Sequence, residues 1–314
     1  MVEPFTSAKG RSTEAVVVVA ELFDGTYRGR GECTPDPRYD QTAEQAAASI
    51  AAMRDALRQG LDRIGLQSAM SAGAARNALD CAFWDLAAKQ SGMPCHALAG
   101  LAAPVPVVTA YTIGLGTPAT MAETARAAAA RPLLKIKLGG QGDPERLRAI
   151  RLATPNAELI ADANQSWNES NLVENLAACA ETGVMLIEQP LPGASDALLA
   201  TITRSIAICA DESVQDSTSV ARLAGKYDAV NVKLDKAGGL TEALKVVALA
   251  KREGLSVMIG CRLGTSLAIA PALLLAQNAR FADLDGPLFL AADRPNGLRY
   301  RGSLLYPADR DLWG

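Results

Sequence analysis

Apolar positions along this chain follow two patterns. From residue 104 onward, short apolar or β-branched stretches recur at 107–113, 133–138, 159–164, 184–189, 206–212, 229–234, 256–261 and 281–285. Each is followed by an Ala- and Leu-rich stretch suited to a helix, and successive starts lie 22 to 27 residues apart. Strands alternating with helices on this period predict βα units around a parallel sheet. Eight such units predict a closed α/β barrel of the TIM type rather than an open doubly wound sheet. No GxGxxG follows the first strand, which argues against a dinucleotide fold.

The first hundred residues lack that period. Residues 14–23 read as a strand, Asp24-Gly25 as a hairpin turn and 27–33 as the returning strand. Residues 41–59 and 73–91 predict helices. The second carries Ala75, Leu79, Ala82, Phe83, Leu86 and Ala87 at helical spacing. The expectation is an α+β capping domain over 1–103 in front of a barrel over 104–291. The tail, 292–314, has a strand-like piece at 297–300 and no βα period, so it is expected to return to the capping domain.

Composition narrows the class. The 314 residues are 49% apolar, enough for a large core. Lys and Arg (31) nearly balance Asp and Glu (34), so nothing points to a nucleic-acid or membrane partner. Apolar runs such as 15–20 are too short to span a bilayer. The N-terminus lacks the basic and apolar regions of a signal peptide. Six scattered cysteines without a CxxC pair, and a single His96, argue against a thiolate or imidazole zinc site. A cytoplasmic enzyme with reduced cysteines is expected.

Barrel enzymes carry their chemistry at the C-terminal strand ends. Here those ends read Lys135-Ile136-Lys137, Asp162-Ala163-Asn164, Glu188-Gln189-Pro190, Asp211-Glu212-Ser213, Asn231-Val232-Lys233 and Asp283-Leu284-Asp285. Three converging carboxylates repel one another unless a cation lies between them. An all-oxygen set suits a hard ion, so Asp162, Glu188 and Asp211 are candidate Mg²⁺ ligands. The alternative is a buried salt-bridge network with the lysines. Lys135 and Lys137, two apart on a strand, face the same way. Their proximity, with a metal nearby, would lower the pKa of one and make it a general base. Lys233 comes from the sixth strand, across the barrel. A substrate carboxylate at the metal would then have one lysine on each face of its α-carbon. Lys135 and the metal would stabilise the charge formed there.

The motifs KxK (135–137), DANQSW (162–167), EQP (188–190), ADES (210–213) and NVKLDKAGGL (231–240) resemble the enolase superfamily, and within it the muconate-lactonizing subgroup. The resemblance covers nearly the whole chain. It implies a modified (β/α)7β barrel behind an α+β capping domain. It also implies Mg²⁺ on Asp162, Glu188 and Asp211, and acid/base lysines at 137 and 233. In the family pattern Lys137 serves the L-configured centre and Lys233 the D-configured one. The superfamily also implies a homo-oligomer.

The subgroup runs several reactions, and shared machinery does not choose between them. The strand-eight pair Asp283 and Asp285 resembles the signature of dipeptide epimerases, in which the pair holds the substrate's α-ammonium. The stretches 31–39 and 72–81 resemble bacterial L-Ala-D/L-Glu epimerases of murein-peptide recycling. That implies a small dipeptide substrate with a second carboxylate, for which Lys9, Arg11 and Arg38 are the candidate partners. Asn164 is a further candidate substrate contact. Arg262 departs from that group's usual uncharged residue. Facing the pocket it would bind an acidic side chain or bias the first residue; facing outward it would do neither. A cycloisomerase or N-acylamino-acid racemase, and a catalytically silent dipeptide-binding protein, are the competing expectations.

Overall fold

The computed structural model describes residues 1–2, 4–37 and 41–314. Eight parallel strands form the central sheet: Tyr111–Ile113, Leu133–Lys137, Glu158–Asp162, Val184–Glu188, Ala207–Ala210, Ala229–Val232, Ser256–Gly260 and Phe281–Asp283. They are the first to eighth barrel strands below. Thr109 bridges Ala282 in parallel, and Ala110 N donates to Ala282 O at 2.8 Å, which closes the sheet into a barrel.

The inside of this barrel is legible strand by strand. Ala110, Leu133, Ile160, Leu186, Cys209, Ala229, Met258 and Phe281 form one buried apolar cluster, one residue from each of the second to eighth strands and Ala110 directly ahead of the first. That ring plugs the barrel. Side chains two residues further on share the same inward face. Those positions are Thr112, Lys135, Asp162, Glu188, Asp211, Asn231 and Asp283, with side-chain-free Gly260 leaving room for Asn231 and Lys233. A ring of polar groups therefore sits directly above a ring of apolar ones.

Every barrel strand expected from the apolar pattern is present, but most end earlier. Lys137, Asp162, Glu188 and Asp283 are the last ladder residues of their strands, while Asn164, Asp211 and Lys233 lie just beyond theirs, at the mouth. The first stretch divides: Val107–Val108 pairs antiparallel with Leu304–Leu305, which pairs with Tyr300–Arg301. These short pairs gave no clear signal because two residues cannot show an alternation.

In the N-terminal part, Val18–Phe23 pairs with Arg28–Cys33 through a turn in which Asp24 Oδ1 accepts from Thr26 N (2.8 Å) and Tyr27 N (2.7 Å). The helix expected at 41–59 is broken at Met53 into Ala43–Ala52 and Arg54–Arg58. A further helix, Arg63–Ala69, starts on Asp62, whose carboxylate accepts from Gly65 N at 2.7 Å. A small hairpin of Phe5–Ser7 and Gly10–Ser12 also forms. Neither of these two was expected. The long helix Ala74–Ser91 lies as predicted and crosses the returning strand closely. A Cβ at Gly31 would stand 2.1 Å from Ala78 O, so only glycine permits that contact.

The chain's last residues lie against this layer. Arg30 Nη2 donates to Asp311 O (2.6 Å), Trp313 Nε1 to Cys81 O (3.0 Å) and Gly314 N to Asp85 Oδ1 (2.8 Å). Among the described residues, no helix is long and apolar enough to cross a membrane.

Candidate active site

A cavity of about 600 Å³ opens at the C-terminal strand ends, beneath the N-terminal hairpin. Lys137, Asn164, Asp211, Lys233, Asp283 and Asp285 line it from the barrel, and Lys9, Arg11 and Asp36 from above. Lys135, Asp162 and Glu188 lie at its base, each almost fully buried.

These charges form one network. Lys135 Nζ lies 2.6 Å from Asp283 Oδ2, 2.6 Å from Glu188 Oε2 and 3.5 Å from Asp162 Oδ2. Lys137 Nζ lies 2.6 Å from Asp162 Oδ2. Lys233 Nζ lies 2.6 Å from Asp211 Oδ2 and 3.6 Å from Glu188 Oε1. Glu188 Oε1 also accepts from Asn231 Nδ2 at 2.6 Å. Lys236 Nζ lies 2.5 Å from Asp211 Oδ1, and it donates to Asp211 O and, at 3.1 Å, to Asn231 O.

The pairing decides the charge states. Burial opposes ionisation of Asp162, yet Lys137 and Lys135 outweigh it and hold this carboxyl well below its usual range. Lys233 and Lys236 do the same for Asp211. Glu188 is pushed upward, by burial first and by Asp162 next. Burial would lower Lys135 and Lys233, but facing carboxylates hold both above the usual lysine value. Lys135, one of the two neighbouring lysines of which one is expected to be lowered, is raised instead. Lys135 and Lys233 each face more than one acid, and attraction exceeds the repulsion between ammoniums. Lys236 is lowered, because burial, helped by the neighbouring Lys233 ammonium, outweighs Asp211 and Glu188.

The strand-eight acids share the cavity with separate partners. Asp283 Oδ2 accepts from Lys135, while its Oδ1 is buried and accepts no hydrogen bond. Asp285 Oδ2 accepts from Thr112 N at 2.7 Å. Burial, with Asp283 beside it, pushes Asp285 up to about 7.

Asn164 adopts a left-handed backbone, φ 46°, and its N–H donates to Asp162 Oδ1 at 2.8 Å. Its side-chain Oδ1 is buried without a hydrogen bond. Lys9, in the turn of the N-terminal hairpin, pairs with Glu212. Arg262 faces the cavity and pairs with Asp36. Arg11 lines the cavity from an exposed strand. Arg38 lies outside the described residues.

Several residues in this network escaped the sequence reading. Asn231 was read only as part of a motif, although its place two before Lys233 on one strand signals an inward side chain. Lys236 stands three after Lys233 in a helical turn, and that spacing carries no such signal. Gln189 lies left-handed at φ 38° and fully buried. Its Oε1 accepts from Asp211 N (2.8 Å) and Ser213 N (3.1 Å), so it braces the end of the fifth strand against the fourth.

The donor set can be weighed against a divalent cation. Asp162, Glu188 and Asp211 offer only oxygen, from three consecutive strands, which suits Mg²⁺. Glu188 Oε2 is buried with no hydrogen bond, held only by the Lys135 ion contact. Among the described residues, no three acidic, thiol or imidazole side chains surround a common point. Ammonium groups lie against each of the three carboxylates instead. The arrangement is the salt-bridged one, and its donors fit a hard ion chemically.

Comparison with known proteins agrees with the fold. The enolase C-terminal domain-like family matches residues 119–294, and the mandelate racemase/muconate lactonizing enzyme N-terminal domain matches residues 1–100. An L-Ala-D/L-Glu epimerase of Escherichia coli (strain K12) is 46% identical over 299 residues, 95% of this chain and 93% of the relative. An N-acetyl-D-glutamate racemase of a Pseudoalteromonas species is 40% identical over 301 residues, covering 95% of each chain. A solved enolase family member from Agrobacterium tumefaciens, described as homologous to dipeptide epimerases and holding sodium and L-Ala-L-Glu, is 52% identical. It superposes with a TM-score of 0.97 over 99% of this chain and 95% of its own. Other solved dipeptide epimerases, 26–30% identical, hold Mg together with a dipeptide. The chain belongs to the mandelate racemase/muconate lactonizing enzyme family of the enolase superfamily.

Proposed function

We propose that the protein is an isomerase, a dipeptide epimerase that inverts the α-carbon of the C-terminal residue, with L-Ala-D/L-Glu as its substrate. The observation that carries this reading is the placement of Lys137 and Lys233. They come from the second and sixth of eight strands, on opposite sides of one cavity. A planar carbon between them is reachable from both faces.

One lysine, as the free amine, takes the α-proton: the C–H bond breaks and an N–H bond forms. The other, as the ammonium, returns a proton to the opposite face, and the centre inverts. Lys135 Nζ, buried at the cavity base, stabilises the negative charge that develops between these steps. Asp162, Glu188 and Asp211 would hold Mg²⁺. When bound, that ion supplies the Lewis acidity that makes the α-proton of a carboxylate removable.

The free oxygen of Asp283 supports a substrate with an N-terminal ammonium. A buried carboxylate oxygen without a donor is costly, and an ammonium would satisfy it. Lys9, Arg11 and Asn164 are the proposed contacts for the remainder of the dipeptide. Murein peptides are the proposed source of the substrate, and the cytoplasm the proposed site of action, with identical subunits assembling together.

The 40% identical N-acetyl-D-glutamate racemase motivates a second reading, racemisation of an N-acylated glutamate. The strand-eight acids argue for the first, because an acylated nitrogen carries no charge for them to hold. The test is a set of free and N-acetylated substrates in deuterium oxide with Mg²⁺, followed by NMR. Inversion and α-deuteration of L-Ala-L-Glu ahead of N-acetylglutamate is expected. The reverse order would favour the second reading, and no exchange with any substrate would leave a binding protein.

A further inference from the structure

Both ammonium groups pair with barrel carboxylates, but the segments that follow the two lysines are anchored by different parts of the molecule. The segment after Lys137 is braced within the barrel: Asp143 accepts from Gly139 N (2.9 Å), Gly140 N (2.7 Å) and Trp167 Nε1 (2.8 Å). The segment after Lys233 is held from above. Lys233 is the last extended residue before the short helix Leu234–Ala237. Asp235, in that turn, accepts at Oδ1 from Asn77 Nδ2 (2.8 Å) and Thr34 N (3.2 Å). Asn77 lies on the long helix Ala74–Ser91, and Thr34 follows the strand Arg28–Cys33.

The same helix holds the rest of the turn. Arg76 donates to Ala237 O (2.7 Å) and Gly238 O (3.1 Å), Asp80 accepts from Thr241 N (2.9 Å), and Trp84 Nε1 donates to Thr241 Oγ1 (3.0 Å). Asn77, Asp80 and Trp84 are spaced to share one helix face. The approach leaves no room for side chains on the barrel segment. A Cβ at Gly238 would stand 2.5 Å from Arg76 Nε, and one at Gly239 2.4 Å from Asp80 Cβ. Both glycines also have positive φ, 82° and 115°.

We propose that Asp235 is a positioning residue for Lys233: through Asn77 and Thr34 it makes the N-terminal layer hold the Lys233 ammonium on its own face of the substrate carbon, while Lys137 is positioned by the barrel alone. This rests on the two-lysine reading above. Its consequence is an asymmetry between half-reactions. Loosening the Asp235 contact displaces one lysine and spares the other. A displacement of about 1 Å in a reacting group can cost about 100-fold in rate.

The experiment compares wild-type protein with Asp235→Leu, which removes the acceptor oxygens, and, as a second variant that leaves the turn's own sequence intact, Asn77→Ala. L-Ala-L-Glu and L-Ala-D-Glu are each incubated in deuterium oxide with Mg²⁺, and initial α-deuteration and inversion are followed separately by NMR. For both variants the L,L substrate is expected to keep exchanging by proton removal and return at Lys137. Inversion of both epimers, and exchange of the L,D substrate, should fall at least about tenfold. A parallel fall of exchange and inversion from both epimers, or no change in either variant, would overturn the proposal. Absence of exchange and inversion in the wild type would instead count against the two-lysine reading.

Discussion

Lys135 Nζ stands 2.6 Å from Asp283 Oδ2, so one hydrogen bond crosses the barrel interior from the second strand to the eighth. The same ammonium lies 2.6 Å from Glu188 Oε2. Lys135 thereby ties the strand-eight acid to the carboxylates proposed to hold Mg²⁺, and it leaves Asp283 Oδ1 buried without a donor. Asp283→Asn keeps the shape and removes the charge. Losing one partner of a buried charged pair costs about 2–5 kcal/mol. For free-amine dipeptides kcat/KM should fall by about 30-fold or more, and for N-acetylated substrates by less. Steady-state kinetics on L-Ala-L-Glu and N-acetylglutamate checks this; equal losses on the two would remove Asp283 from ammonium binding.

Removing either proposed acid/base lysine should separate exchange from inversion. Lys233→Ala is expected to retain α-deuteration of the L,L dipeptide through Lys137. Lys137→Ala should retain that of the L,D dipeptide through Lys233. A positioned acid or base contributes about 10²–10⁴-fold, so inversion should fall by at least 100-fold in each. NMR in deuterium oxide reads both quantities. A variant that still inverts at the wild-type rate would rule its lysine out.

Much of this site could be read from strand periodicity. Leu133, Lys135 and Lys137 alternate inward, as do Ile160 with Asp162 and Leu186 with Glu188, so the polar ring above the apolar ring follows from the sequence. The parts not legible depend on neighbours distant along the chain. Lys9 reads as a cation awaiting a substrate, yet it pairs with Glu212 on the fifth-strand end. Arg262 pairs with Asp36, a partner 226 positions away that no local pattern signals. The grip of Arg76, Asn77 and Asp80 on the segment after Lys233 is equally hidden, since their partners lie 158 to 162 positions away along the chain. Lys135 is raised rather than lowered for a similar reason: the number of acids facing its ammonium is a three-dimensional quantity.

Asp285 sets an expectation for pH. Burial and Asp283 raise it from 3.8 to about 7 in the folded protein. It is ionised above that value and neutral below it. A neutral Asp285 cannot attract an ammonium, so kcat/KM for free dipeptides should fall as pH drops through about 7, and Asp285→Asn should remove that limb while lowering the plateau. The stability effect has the opposite sense. Between 3.8 and 7 the folded state binds more protons than the unfolded state, so this group's contribution to stability declines as pH rises through that window. Asp285→Asn should therefore stabilise the substrate-free protein at pH 8 more than at pH 5. Thermal melts at the two values check the sign.

Metal binding has a readout that needs no turnover. A ligand bound only by the folded protein adds about 2.7 kcal/mol at 100 times its dissociation constant. Protein stripped with a chelator should thus melt several degrees higher once Mg²⁺ is added at that excess. Asp162→Asn and Glu188→Gln should lose this shift. Melting temperatures that ignore Mg²⁺ in the unaltered protein would exclude these carboxylates as its site.

Gln189 offers a test of the scaffold under Asp211. Its side chain is fully buried: Nε2 reaches Leu191 O, Ser213 Oγ and Tyr227 OH, and Oε1 accepts from Asp211 N and Ser213 N. Leucine has similar bulk and none of these bonds. Gln189→Leu would strand Asp211 N and Ser213 N, and each unsatisfied buried donor costs about 1–3 kcal/mol. The branched side chain would also occupy a left-handed position, φ 38°, that disfavours it. A loss of about 2–6 kcal/mol is expected from the two stranded donors. Because Asp211 is one of them, the Mg²⁺-dependent rise in melting temperature should shrink as well. Gln189→Glu keeps the Oε1 acceptor but loses the Nε2 donor to Leu191 O, so it should recover part of both losses as Asp211 N and Ser213 N regain a partner. Denaturant melts with and without Mg²⁺ on the two variants separate loss of stability from loss of metal binding. An unchanged Mg²⁺ shift in Gln189→Leu would show that Asp211 is oriented by Lys233 and Lys236 rather than by Gln189.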